Sequence, residues 1–156
     1  MGSAAVPGAC LRWAMRLDET ESWARLAAAD HGVLATRHSE RGVDVVPIVF
    51  AVDGDLLGIP VDTVKPKAST RLQRERNLAA DPRATVLVEH WDAEDWSALW
   101  WVRAELRWEA TPPPATIEAL TAGLVSKYPA YAGRPFASVL VLRSVAVVGW
   151  SAGRAH

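Results

Sequence analysis

The residues best suited to chemistry form a basic segment at positions 65–76, which holds five basic residues and one acidic residue. Thr70 and Gln73 resemble a capping box, which predicts that a helix begins at Thr70 and runs to about Ala80. The free amides at a helix N-terminus favour phosphate, and arginine grips phosphate oxygens in a bidentate fork. The segment is therefore a candidate anion site, with these candidate ligands: Lys65, Lys67, Ser69, Thr70, Arg71 and Arg74.

The same run of charge has two other interpretations. A solvated basic helix is one of them, because most charge runs are ordinary exposed faces. Nucleic-acid binding is the other, but it usually requires a basic domain. The chain has 17 basic and 18 acidic residues and a net charge of −1, so no global field attracts nucleic acid or an anionic membrane. No apolar run approaches the roughly 18 residues of a membrane span.

Trp101 is the second candidate for ligand binding. It lies on the mostly polar face of a strand predicted over residues 98–108, beside Arg103 and Glu105. A tryptophan in that position stacks on a planar ring, lies at a subunit interface, or is an isolated surface aromatic. The pattern alone leaves these three alternatives open.

Other catalytic motifs are absent from the sequence. It has no nucleophile elbow, no P-loop and no dinucleotide-binding glycine pattern. The histidines lack the paired spacing that metal ligation favours: His31, His38, His90 and His156. We therefore expect no metal site, and if the protein is an enzyme, a bound cofactor must carry most of the chemistry.

The elements that position these residues are mostly strands. Period-two and β-branched runs predict about seven strands, and three short helices are predicted around them. Asp53-Gly54 is a strong hairpin signal, and Asp18 with Glu21 predicts the start of the first helix. The predicted fold is mainly β (α+β): a small antiparallel barrel with peripheral helices. Residues 43–52 are apolar on both faces, so a subunit partner or a ligand is expected to cover the outer one.

The chain length predicts one folded domain over residues 16–152, with a flexible extension at 1–15 and a tail at 153–156. The N-terminal residues lack the basic and apolar regions of a secretory signal. The only cysteine, Cys10, cannot form an intramolecular disulfide, which fits a cytoplasmic protein.

The order of motifs resembles the pyridoxamine-phosphate-oxidase-like split β-barrel proteins. Over about residues 16–152, the resemblance is carried by VLAT at 33–36, VPIVFAVDGD at 46–55, KPK at 65–67, RNL at 76–78 and DPR at 81–83. Two further motifs look most like the branch that uses the deazaflavin F420: LWWVR at 99–103 and VGW at 148–150.

The resemblance implies a homodimer with the cofactor in a groove between subunits. The cofactor phosphate would be held by the candidate anion site, and the ring would lie along the strand that contains Pro47 and Ile48. It also implies hydride transfer between a reduced cofactor and a small organic substrate. F420 is the first expectation. FMN on the same fold and a non-catalytic flavin-binding protein are the alternatives. The chain lacks the Arg-Leu ending of true pyridoxamine phosphate oxidases, which disfavours vitamin B6 oxidation.

Overall fold

The structure is a computed structural model that describes residues 15–62, 72–133 and 136–153. Eight strands form one antiparallel sheet in these residues, in the order β3-β2-β6-β7-β8-β5-β4, with β1 paired to β8. The strands are β1 (Met15–Leu17), β2 (Gly32–His38), β3 (Gly42–Ile48), β4 (Ala51–Asp53), β5 (Leu56–Asp62), β6 (Arg83–His90), β7 (Trp100–Glu109) and β8 (Phe136–Ser151). The helices are α1 (Glu19–Ala28), α2 (Gln73–Ala80) and α3 (Pro114–Lys127). The mainly β split barrel expected from the sequence is confirmed.

The sheet encloses a core made from the inward-facing residues of its strands. Val102, Ala104 and Leu106 of β7 are almost fully buried, while Arg103 and Glu105 between them are exposed. This alternation is the period-two pattern of the sequence. Helix α1 adds Leu26 to the same core, where it is fully buried.

Helix α3 packs on the outside of the sheet and forms a second, smaller core. Leu120 and Leu124 of α3 contact the region of β4, β5 and β8. A Cβ atom built at Gly58 of β5 would lie 3.0 Å from the Cβ of Leu120, so this close packing depends on a glycine. Strand β5 is consequently buried on both faces.

Two strand boundaries differ from the expectation. The long apolar run at 43–52 is divided by Val49 and Phe50 into β3 and β4, which lie at opposite ends of the sheet order. The two strands expected near the C-terminus are instead the single strand β8, which pairs with both β7 and β5. A 16-residue strand can span both partners, so no turn is needed between them.

The helix starts show one confirmed prediction and one that was wrong. The backbone N–H of Glu21 donates to Asp18 Oδ1 at 2.8 Å, as the α1 capping pair predicts. Helix α2 begins at Gln73 rather than Thr70, and the backbone N–H of Leu72 donates to Glu75 Oε2 at 2.7 Å. The capping carboxylate is therefore that of Glu75, and Thr70 lies outside the described residues.

None of the helices in the described ranges combines the length and the apolar character that crossing a membrane would require.

Candidate functional site

An open groove lies where the chain leaves β3 and turns towards β4. Its volume is about 440 Å³, within the range of small-molecule sites. Its lining residues come from the α1–β2 connection, the end of β3 and the residue after it, the middle of β5, helix α2 and the turn after α3: His31, Pro47, Ile48, Val49, Ile59, Pro60, Arg74 and Tyr131. An apolar wall with a few polar groups is suited to a planar ring that carries a polar or anionic tail.

The groove lies where the chain stops pairing, at Val49 and Phe50 between β3 and β4. Ile48 is nearly buried and faces the core, while Pro47 is exposed on the outer face. Both residues line the groove, so the strand edge forms its wall.

Arg74 supplies the groove with a cation that cannot lose its charge near neutral pH. It lies in the first turn of α2, and its Nη2 donates to the backbone oxygen of Pro60 at 3.2 Å. The Arg74 side chain belongs to a partly buried residue and lines the groove together with the apolar residues. Such a group suits a phosphate or carboxylate at the mouth of the groove.

Three of the site residues named from the sequence are brought together here: Pro47, Ile48 and Arg74. Five others lie outside the described residues: Lys65, Lys67, Ser69, Thr70 and Arg71. Trp101 lies elsewhere, on the outer face of β7, between Glu89 on β6 and Trp150 on β8. It does not line the groove.

Sequence reasoning missed the polar pair at the end of α3. Lys127 Nζ donates to the backbone oxygens of Ala27 (3.2 Å), Ala29 (2.6 Å) and Phe50 (3.2 Å). The Tyr128 hydroxyl lies 2.8 Å from the oxygen of Asp30, 2.9 Å from that of Phe50, and 3.2 Å from the Phe50 backbone nitrogen, which donates to it.

Burial changes the proton affinity of both residues. Desolvation lowers the pKa of Lys127, partly offset by the nearby Asp30 carboxylate. Desolvation also raises the pKa of Tyr128, so its hydroxyl keeps its proton. The only sequence signal was a lysine in the last turn of a helix, which is common at that position. His31 and Tyr131 carried no signal that distinguished them from ordinary residues.

A second feature is an exposed apolar surface on the outer face of β3 and β6. Val43 is 62% exposed, Val45 is 61% exposed and Leu87 is 37% exposed. Through the β2 register, Val45 lies opposite Ala35, while Pro47 and Leu87 both lie opposite Val33. The surface is therefore continuous with the edge of the groove at Pro47. We call Val43, Val45 and Leu87 the outer apolar patch.

Comparison with known proteins identifies the fold. No family model matches the sequence, and no curated protein matches it. A FAD-binding protein from Mesorhizobium loti superposes with a TM-score of 0.68 at 17% identity, covering 88% of this chain and 95% of that one. A heme-binding protein from Mycobacterium smegmatis gives a TM-score of 0.62 at 21% identity, covering 87% of this chain and 54% of that one.

A third solved structure carries the name of the family that the sequence resembles. It is a protein from Corynebacterium glutamicum named provisionally as a pyridoxamine 5′-phosphate oxidase. Its TM-score is 0.54 at 17% identity, with 88% of this chain and 96% of that one covered. The chain has the split-barrel fold of the pyridoxamine-phosphate-oxidase-like proteins, as the resemblance implied.

Proposed function

We propose that this protein is an oxidoreductase that binds a flavin-type cofactor in the groove. The observation that carries the proposal is the apolar wall at the β3–β4 break with the Arg74 guanidinium beside it. Proteins with the same fold include one that binds FAD. Within this class, the motifs at 99–103 and 148–150 favour F420, and FMN is the alternative.

The groove residues would bind and orient the cofactor. Pro47, Ile48 and Val49 would pack against a planar ring and exclude water from one of its faces. Arg74 would bind an anionic group of the tail, together with the basic residues at 65–71 that the sequence nominates. When bound, a reduced flavin or deazaflavin supplies a hydride, and the substrate takes up a proton with it. The open side of the groove leaves access for a small organic substrate.

Titration of the purified protein with FMN and with F420 tests the proposal. Each cofactor is fluorescent, and binding against a protein wall changes its fluorescence. We expect saturable binding of at least one cofactor and tighter binding of F420. Steady oxidation of the reduced cofactor by a panel of small acceptors would then distinguish an enzyme from a non-catalytic carrier. Failure of both cofactors to bind would refute the proposal.

Replacing Arg74 by alanine is expected to weaken cofactor binding by about 1–3 kcal/mol, since one charged hydrogen-bonding contact is lost. Arg76→Ala is the matched control. Arg76 lies on the same helix, is exposed, and pairs with Gln73 Oε1 at 2.7 Å. Both variants remove one arginine charge from α2. If the two variants lost the same amount of cofactor affinity, Arg74 would act only through the net positive charge of α2 and not through a direct contact.

We also propose that a second copy of the chain covers the outer apolar patch. The patch is continuous with the groove edge, so a partner seated on it would also border the cofactor site. Trp101 lies on the same outer face, with Arg103 beside it directly opposite Leu87. It could therefore reach a cofactor only from the partner protomer. In this arrangement Trp101 could take part in ligand binding, as the sequence predicts, although it lies outside the groove of its own chain.

Val45→Glu tests this dimer. The side chain is already exposed, so the substitution should leave the fold intact but bury a carboxylate in the interface, where an unpaired charge is costly. We expect the wild type to show twice the 16.9 kDa chain mass in light scattering, and the variant to dissociate at least about tenfold more readily. Ala79→Glu, on the exposed side of α2, adds the same charge as a control. A monomeric wild type at high concentration would exclude this interface.

A further inference from the structure

The break between β3 and β4 leaves Phe50 without a strand partner. Its side chain is fully buried, so its backbone N–H and C=O cannot rely on water. They are satisfied by the side chains of Lys127 and Tyr128 instead. The Lys127 ammonium also lies 4.5 Å from the centroid of the Phe50 ring. The end of α3 therefore stabilises the conformation that separates the two strands.

The same two side chains also hold the segment that joins α1 to β2. Lys127 donates to the carbonyl oxygens of Ala27 and Ala29, where α1 ends and its unpaired carbonyls attract a cation. The Tyr128 hydroxyl lies 2.8 Å from the carbonyl oxygen of Asp30. Three chain segments thus meet at the end of α3: the α1–β2 connection, the β3–β4 break and the turn that follows α3.

Each of these segments carries a residue that lines the groove. His31 follows Asp30, Val49 precedes Phe50, and Tyr131 lies three residues after Tyr128. The Tyr131 ring is packed edge-on against that of Tyr128, with a centroid distance of 5.9 Å. The contacts of Lys127 and Tyr128 are therefore made within four residues of the groove wall in every segment.

We infer that Lys127 and Tyr128 are positioning residues of the groove: they do not line it, but they fix the three segments that do. This inference rests on the proposed function for its ligand, because a wall must be held in place to bind a planar ring with defined geometry. Loss of either residue should loosen the wall locally and weaken ligand binding, in excess of any general loss of stability.

The test compares Lys127→Met and Tyr128→Phe with Arg25→Met. Lys127→Met keeps the aliphatic stem, and Tyr128→Phe keeps the ring. Arg25 is a matched control, since it is also a half-buried cation over an aromatic ring, 5.3 Å from the centroid of Trp100, and pairs with Glu21 at 2.7 Å. It belongs to α1 and lines no part of the groove.

Hydrogen–deuterium exchange of the ligand-free proteins is the first readout. We expect faster exchange in peptides covering 29–32 and 48–51 for both α3 variants, with β7 unchanged, and no such local change in Arg25→Met. The dissociation constant of the cofactor that the wild type binds, F420 or FMN, is the second readout. It should rise about tenfold in Lys127→Met, or about 1.4 kcal/mol, and stay near the wild-type value in Arg25→Met.

Exchange that rises uniformly over the sheet, or binding that falls equally in Arg25→Met, would overturn the inference. If Lys127→Met does not fold, Tyr128→Phe carries the test alone, because it removes a single hydroxyl. If the wild type binds neither FMN nor F420, the proposed function fails, and the exchange pattern still decides whether Lys127 and Tyr128 hold the wall.

Discussion

Replacing Phe50 by alanine is expected to lower the free energy of unfolding by about 3–5 kcal/mol. The side chain is fully buried and belongs to the main core, so its removal leaves a cavity that the surrounding sheet cannot fill completely. A Cβ built at Gly32 would lie 3.3 Å from the Phe50 ring, which shows how closely β2 packs against it. The substitution also removes the aromatic face beside the Lys127 ammonium.

Urea unfolding followed by tryptophan fluorescence measures this effect, and FMN titration measures its consequence for the groove. Leu106→Ala is the control. Leu106 is 2% exposed on the inner face of β7 and should cost about 2–5 kcal/mol of stability. Flavin binding by the folded fraction should fall in Phe50→Ala and persist in Leu106→Ala. A loss below about 1 kcal/mol in Phe50→Ala would contradict the packing described for this residue.

The strands were predictable because their signals are local. The alternation in β7, the Asp53-Gly54 turn and the Asp18 cap each depend on neighbouring residues, and the structure contains all three. The break at Val49 and Phe50 was not predictable in this way. Both residues have strand-forming side chains, and the polar groups that replace the ladder hydrogen bonds of Phe50 come from the end of α3, 77 or 78 positions further along the chain.

The groove was predictable only in part, for the same reason. Pro47 and Ile48 were named because the strand resembled a known ring-binding strand, and Arg74 because of its charge. His31 and Tyr131 were missed, since a lone histidine and a tyrosine after a helix have no distinctive spacing. They become groove residues only when three separate connections meet.

Replacing Asn77 by leucine is the second substitution for which we expect a large effect. It should lower the free energy of unfolding by about 2–3 kcal/mol. Asn77 is 3% exposed on α2, and its Nδ2 donates to Thr36 Oγ1 at 3.0 Å and to Asp44 Oδ2 at 2.9 Å. Its Oδ1 accepts from Gln73 Nε2 at 2.9 Å. Leucine has a similar volume but leaves the buried Thr36 hydroxyl without this donor, so the cost is mainly one of unsatisfied polar groups.

A double-mutant cycle with Thr36→Val isolates the buried hydrogen bond. If Asn77 acts through Thr36, the double variant should be more stable than the sum of the single losses predicts, because both polar partners are then removed together. Gln73→Ala is the control on the same helix and should cost less than about 1 kcal/mol, because its hydrogen bonds to Asn77 and Arg76 are partly exposed. If the losses in free energy of unfolding from the two single substitutions simply add up in the double variant, the Asn77 and Thr36 side chains are not coupled.

The acid dependence of stability gives an independent measurement of the same contact. The Asn77 amide is the largest cause that holds the pKa of Asp44 below its ordinary value, and Arg41 adds to the shift. A carboxyl group whose pKa is lowered in the folded state stabilises the fold above the pKa of the unfolded chain, and this stabilisation is lost as the pH falls. Asn77→Leu should therefore make stability depend less on pH as the pH falls through and below 3.8, the ordinary pKa of an aspartate. Arg74 lies one turn away on α2, so we expect the contacts of Asn77 to help hold in place the helix that carries the guanidinium of the groove.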